Sequence, residues 1–358
     1  MPQSLQKVSW MSPFRYLPRF LFGIVLFLVS PNPFSHAGEA QDLLAQAYRA
    51  YQQNQWSSAK APLERAIQLY PNYAEAHHLL GLVWTQLQQP EQAVTELKLA
   101  VNAYPSFAQA YMDLGFVYQD QGQFKAAEQA FRQASTIYPQ YLESWTALAD
   151  LFDQQQQAAT AIEAHRKVLE LDPHQADSLY SLAFWYVQQG KLAQAQPYVE
   201  QLTTQHPKHV NGWLMTGSLA QQTDQPGKAI TAYQRVVALQ DKLVDPYFNL
   251  GILYQQQEQY PEAAKAFEQV LTLDEHNPEA HINLGVVYTA LSKIKQAEEQ
   301  YQAALAINPR LAEAHYNLGL LYEFHHNEPG KALEYYKEYA KLGGQDERVT
   351  KLLKRVGS

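Results

Sequence analysis

A period of 34 residues governs this chain. Counting back from Gly319 in steps of 34 reaches Gly285, Gly251, Gly217, Ala183, Ala149, Gly115, Gly81 and Ala47, a small residue every time. A second column holds Ala59, Ala93, Ala127, Ala161, Ala195, Ala229, Ala263 and Ala297. A third reads Pro71, Pro105, Pro139, Pro173, Pro207, Asp241, Glu275 and Pro309, and a fourth holds Trp84, Tyr118, Phe152, Tyr186, Tyr254, Tyr288 and Tyr322. A unit of this length cannot bury a core alone, so its copies must stack on one another. The 358 residues are therefore expected to form an elongated array in place of two or three compact domains.

Units are counted from residues near 40, 74, 108, 142, 176, 210, 244, 278 and 312. Each resolves into two short helices. The first carries apolar residues at unit positions 4, 7, 8 and 11, the 3.6-residue period of one buried face. A polar turn follows, such as QDQGQF at 119–124 or VQQGKL at 187–192. The second helix has alanine at position 20 and a bulky residue at 24, and proline at 32 is expected to end it. Small residues at 8 and 20 let the pair pack at the near end of the usual helix separation. The ninth unit gains one residue in FHHNEPGK, and Pro197 falls inside a second helix. After Gly343-Gly344, DERVTKLLKRV shows Val349, Leu352, Leu353 and Val356 as one stripe, with Arg348, Lys351, Lys354 and Arg355 opposite. Residues 345–358 are expected to form a C-terminal capping helix; the alternative is a basic helix for an anionic membrane.

These columns resemble the tetratricopeptide repeat family, whose pattern W-x₂-L-G-x₂-Y…A-x₃-F…A…P is met by Trp145 and Trp213, by Leu114, Leu148, Leu182, Leu250, Leu284 and Leu318, and by the glycine, tyrosine, alanine and proline columns. Gln46 and Thr216 depart from it at the leucine column. The resemblance implies an all-α fold, a right-handed superhelical solenoid of about nine tandem helix-turn-helix units over residues 40–344 plus the capping helix, with the first helices lining its concave face.

The first 37 residues differ from the rest. They contain Lys7, Arg15 and Arg19 and no acid, then FLFGIVLFLV at 20–29, then Ser35 and Ala37. This is the pattern of a secretory signal peptide cleaved after Ala37, with translation from Met1 or Met11. An uncleaved N-terminal anchor is the alternative, although ten apolar residues fall short of the roughly 20 that span a bilayer. The expected location is beyond the membrane: periplasm, lumen or exterior. The whole chain carries a net charge of −8, and loss of the leader's three basic residues makes the remainder more acidic. No basic block suits a phosphate backbone, so nucleic acid is not an expected partner. The chain has no cysteine, which excludes thiolate metal sites, disulfides and thiol nucleophiles.

No glycine-rich phosphate loop, zinc-binding HExxH or GxSxG nucleophile motif is present in a supporting context. His77, His281 and His315 share position 4, where the family pattern has tryptophan, and are expected to pack rather than hold a metal. No enzyme, metal or cofactor is expected. On a helical wheel, positions 2, 6, 9 and 13 of each first helix point away from positions 4, 7, 8 and 11. Position 6 is Asn249, Asn283 and Asn317 in three consecutive units, and position 2 of the same units is Asp245, Glu279 and Glu313. Phe248, Ile252, Val286 and Leu320 lie beside them. An amide both donates and accepts, so a row of asparagines suits the main chain of an extended peptide. The asparagine ladder of the O-linked glycosyltransferase's repeats is similar in position. The lysines of carboxylate-clamp members are missing, which argues against an acidic chain terminus as partner and for a neutral or basic, extended protein or peptide.

The expected function is a non-enzymatic protein–protein interaction scaffold or assembly factor of the cell envelope. A self-associating structural protein, or a non-catalytic subunit of an envelope enzyme, secretion or polysaccharide-export complex, is the alternative. N-terminal sequencing of the chain made in an exporting host should begin at Gly38; a chain beginning at Met1 or Met11 would refute cleavage.

Overall fold

The computed structural model describes residues 36–356, which form nineteen α-helices and no strand. The first helices of successive repeats are α1 (His36–Gln52), α3 (Ala74–Gln86), α5 (Ala108–Asp120), α7 (Leu142–Gln154), α9 (Ala176–Gln188), α11 (Val210–Gln222), α13 (Val244–Gln256), α15 (Pro278–Ala290) and α17 (Ala312–Phe324). The second helices are α2 (Trp56–Leu69), α4 (Pro90–Ala103), α6 (Phe124–Ile137), α8 (Ala158–Leu171), α10 (Leu192–Gln205), α12 (Pro226–Leu239), α14 (Tyr260–Leu273), α16 (Ile294–Ile307) and α18 (Pro329–Lys341), followed by α19 (Glu347–Val356). This is an all-α helical repeat solenoid. The expected leader lies outside the described residues, apart from His36 and Ala37 at the start of α1. Among the described residues no helix is long and apolar enough to cross a membrane.

The helices gather into two compact units, Met1–Ala130 and Phe131–Ser358, and the boundary falls within α6. In the first, α1 packs on α2 and α3 on α4, while α2 meets α3 and α4 meets α5. Its core is built on Ala47, Leu63, Ala66, Leu80 and Val83. In the second, the same alternation runs from α7 to α18, and α19 packs on α18. Helices of 13 or 14 residues are marginal alone in water, so each owes its stability to the neighbours it covers.

Inside each repeat the decisive contact joins positions 8 and 24. A Cβ built on Gly217 would stand 2.7 Å from the Tyr233 ring, on Gly251 2.6 Å from Phe267, on Gly285 2.5 Å from Tyr301, and on Gly319 2.3 Å from Tyr336. Every Phe or Tyr at position 24 is paired in register with a glycine at position 8, while Leu63, His165 and Val199 are paired with Ala47, Ala149 and Ala183. Leucine takes either partner, since Gly81 lies under Leu97, where an added Cβ would stand 2.7 Å from the side chain.

Turns repeat as faithfully. Position 15 adopts positive φ in the first eight units, at Asn54, Gln88, Gly122, Gln156, Gly190, Asp224, Glu258 and Ser292, and the ninth unit's extra residue moves this conformation to Asn327. The next N–H reaches back to the carbonyl at position 11, as in Gln89 to Trp84 at 2.9 Å and Gln259 to Tyr254 at 2.8 Å. This is the Schellman closure of a helix end. At the other end, the expected role of proline needs correcting. The α12 and α14 helices end at Leu239 and Leu273, in register with the rest, although Asp241 and Glu275 replace proline. Their C-caps, Gln240 and Asp274, leave helical geometry without it, each donating its N–H back to the carbonyl of Val236 or Val270.

Gly285→Ala should destabilise the chain by about 1–3 kcal/mol through overpacking. Adding Tyr301→Leu should return part of that loss. Urea denaturation of the single and double variants measures the coupling, and additive losses would refute the contact.

Candidate functional site

The predicted site residues all lie within the second compact unit, on α13, α15 and α17. These first helices touch in order, α13 with α15 and α15 with α17, whereas successive second helices do not approach as closely. The first helices therefore form the inner layer of this stretch. Asp245, Glu279 and Glu313 are exposed and make no ion pair among the described residues. They stand in the first turn of their helices, where a carboxylate also gains from the helix dipole.

Asn249, Asn283 and Asn317 are half-buried. Their environments differ. Asn283 turns its amide back to donate to the Glu279 carbonyl at 2.8 Å. The Asn317 amide nitrogen is shut off from solvent without an acceptor. The apolar four are more deeply committed. Phe248 meets Phe267 edge-on, with ring centroids 5.7 Å apart, and Ile252, Val286 and Leu320 pack partly against the core around Leu284 and Leu318. The face is therefore an acidic rim beside a row of amides, over a floor whose apolar groups are only partly open.

Beyond α17 the face meets α19. Arg348 donates to both carboxylate oxygens of Glu323, at 2.9 and 2.7 Å, and to the Tyr336 hydroxyl at 2.8 Å. Burial would raise the Glu323 carboxyl, but hydrogen bonds from Tyr336 and Arg348 outweigh it and hold the group below its usual range. Val349 is buried, and Leu352 and Leu353 pack partly on the same core. Glu347 starts α19 where the next first helix would start once the extra residue of the ninth turn is counted. Val349 and Leu353 then fall at positions 3 and 7, a register legible in the sequence that the reading of this segment as an isolated stripe missed.

The position-4 rings have a common task. Trp145 and Trp213 donate through the indole nitrogen to the carbonyls of Pro139 and Pro207, at 3.0 and 3.1 Å. His77, His281 and His315 present Nε2 to the carbonyls of Pro71, Glu275 and Pro309, at 3.0, 3.2 and 3.0 Å. Histidine here does the work of tryptophan: it clamps the preceding loop to the first helix. At His77 the other ring nitrogen meets the Glu96 carboxylate at 2.7 Å. Burial alone would lower its pKa, yet the bonds to Glu96 and Pro71 prevail and raise it.

A second buried network was not visible in the sequence. Asp153 accepts from His165 at 3.0 Å, Ser181 at 2.9 Å and Trp185 at 2.6 Å, and His165 also meets Ser178 at 3.0 Å. The order Asp153–His165–Ser178 matches that of a hydrolase triad. His165 and Ser178 are each only 2% exposed, however, so the hydroxyl has no approach for a substrate. The network ties α7 and α8 to α9. Burial works to raise the Asp153 carboxyl, but its bonds from His165, Trp185 and Ser181 hold it low. Its one sequence signal is a histidine at position 24, where other units place leucine, valine or an aromatic ring.

Models described as tetratricopeptide repeat match residues 248–310 and 290–347, residues 106–174, and residues 50–114 and 154–219. The chain belongs to the tetratricopeptide repeat family. Among solved structures, the C-terminal part of a repeat-containing protein from Cytophaga hutchinsonii superposes with a TM-score of 0.58 at 16% identity, covering 67% of this chain and 99% of that one. YrrB, described as a TPR protein with an unusual peptide-binding site, gives 0.48 at 24% identity over 52% and 96% of the two chains. Pseudomonas aeruginosa pilF gives 0.46 at 20% identity over 63% and 98%. No curated protein sequence matches the chain.

Because the folded pKa of His77 is raised, its contribution is complete below the ordinary imidazole value and is lost as pH rises through the folded one. The stability difference between the wild type and Glu96→Gln should therefore be larger at about pH 5.5 than at about pH 8.5. Denaturant midpoints at the two pH values test this; an unchanged difference would refute the charged pair.

Proposed function

We propose that this chain is a non-enzymatic scaffold that binds an extended, neutral or basic segment of a partner protein on the inner layer of α13, α15 and α17. The observation that carries this reading is the composition of that face. Each helix offers one asparagine and one unpaired, exposed carboxylate, and none of the three carries a lysine or arginine anywhere along its length. Stacked repeats commonly use such inner surfaces for binding. In this assignment Asn249, Asn283 and Asn317 bond the guest's main chain, and Asn317 must first turn outward because its amide nitrogen is closed off from solvent. Phe248, Ile252, Val286 and Leu320 offer it their open edges, and Asp245, Glu279 and Glu313 favour positive side chains. Because Asn283 already bonds its own helix, a guest must offer an acceptor good enough to draw the amide away.

The leader adds a place to this activity: export, and service to an assembly of the cell envelope. The α19 segment is assigned as the cap of the array, since it covers Tyr336 and the end of the core with Val349 and Arg348.

Pull-down from a native envelope fraction tests the proposal. Asn283→Ala with Asn317→Ala should lose at least one partner retained by the wild type, because each main-chain bond is worth about 0.5–1.5 kcal/mol. An identical partner list from the variant would overturn the site. A tight oligomer by light scattering, unchanged in the variant, would favour self-association instead.

A further inference from the structure

The first compact unit holds an open cavity of about 230 Å³. Pro71 and Asn72 of the α2–α3 loop, His77 of α3, and Leu99, Asn102 and Ala103 of α4 line it. We propose that this cavity binds one pyranose ring of a neutral glycan.

In other units the residue at position 26 occupies the corresponding place. Gln201 donates across to the Pro173 carbonyl at 2.9 Å, and Arg235 to the Pro207 carbonyl at 3.4 Å. In the fourth and ninth units positions 26 and 29 are a lysine and a glutamate paired with each other, Lys167 with Glu170 and Lys341 with Glu338. The second unit has Leu99 at position 26, which carries no polar group to send across and stays 42% exposed. His77 is smaller than the indoles of Trp145 and Trp213, and its two ring nitrogens are tied to Glu96 and Pro71. The ring is thus a fixed wall.

The lining selects the guest. Asn72 and Asn102 are exposed, and neither side-chain amide has a hydrogen-bond partner among the described residues. Each offers a donor and an acceptor, which neighbouring hydroxyls of a sugar can answer together. Pro71, Leu99 and Ala103 supply apolar surface for the C–H face of the ring. Tyr70 precedes Pro71 and Tyr104 follows Ala103, and both rings are more than half exposed, adding flat aromatic surface at the border. No lysine or arginine lines the cavity, and the one cation of α4, Lys98, lies over the Tyr118 ring at 5.6 Å. An anion therefore finds no counter-charge there. A ring polar at its edge and apolar on its faces matches this set, whereas a proline ring would leave both amides to water.

The labelled full chain, applied to an array of neutral and anionic glycans with a proline-rich peptide as comparison, tests the assignment. Signal should concentrate on neutral glycans, and calorimetric titration with the best-bound soluble oligosaccharide gives the affinity. Asn72→Ala with Asn102→Ala should weaken that affinity about tenfold, the effect of two lost hydrogen bonds. Leu99→Arg, which copies the crossing side chain of the sixth unit, should abolish binding. All three positions are exposed, and thermal melts followed by circular dichroism should show each variant as stable as the wild type. Absence of any neutral glycan signal overturns the proposal, as does binding that Leu99→Arg leaves unchanged. Preference for anionic glycans or for the peptide overturns it too.

Discussion

The structure depends on a contact between two side chains in every repeat, the small residue at position 8 against the large one at position 24. In the second compact unit a glycine lies under Tyr233, Phe267, Tyr301 or Tyr336, with no room for even one more carbon. Overpacking costs free energy in a core of native density, so an aromatic ring at position 24 requires glycine opposite it. Leucine, histidine or valine there leaves room for alanine, as at Ala47, Ala149 and Ala183.

Around that contact, the polar groups solve one problem in several chemistries. The preceding loop must be tied to each first helix, and either an indole N–H or an imidazole Nε2 does it. The seam between repeats must be closed, and in different places this is Gln234 on Tyr254, Glu268 on Tyr288 or Arg166 on Tyr186. The buried Asp153 network is the most elaborate of these seams. Its resemblance to a catalytic relay is one of order alone, because burial that lets the bonds form also keeps substrate out. A polar cluster in a repeat protein is thus read first as a joint between neighbours.

The face of α13, α15 and α17 differs from these seams in its carboxylates: Asp245, Glu279 and Glu313 remain exposed, whereas the Asn283 amide bonds the Glu279 carbonyl and the Asn317 amide nitrogen is closed off from solvent. Its apolar members, by contrast, have a structural duty already, since Phe248 and Ile252 are held against the core. The proposed recognition therefore draws more on charge than on apolar contact.

Sequence alone determined the period, the helix pairs and the identity of the inner layer, because one side of each helix must stay small and apolar for stacking to work. The helix starts at 74, 108, 142, 176, 210, 244, 278 and 312 follow from that register. The alignment of Asn249, Asn283 and Asn317 on one side follows too, since a 34-residue step returns each to the same angle on its helix. Tertiary structure decided what those side chains do once there. It folded Asn283 back on Glu279, covered the Asn317 nitrogen, and set a histidine, an aspartate and a serine together from three different helices. It also ended α12 and α14 without proline. Periodicity specifies direction around a helix axis, whereas a hydrogen bond depends on distances of a few tenths of an ångström between groups far apart in the chain, and only packing sets those.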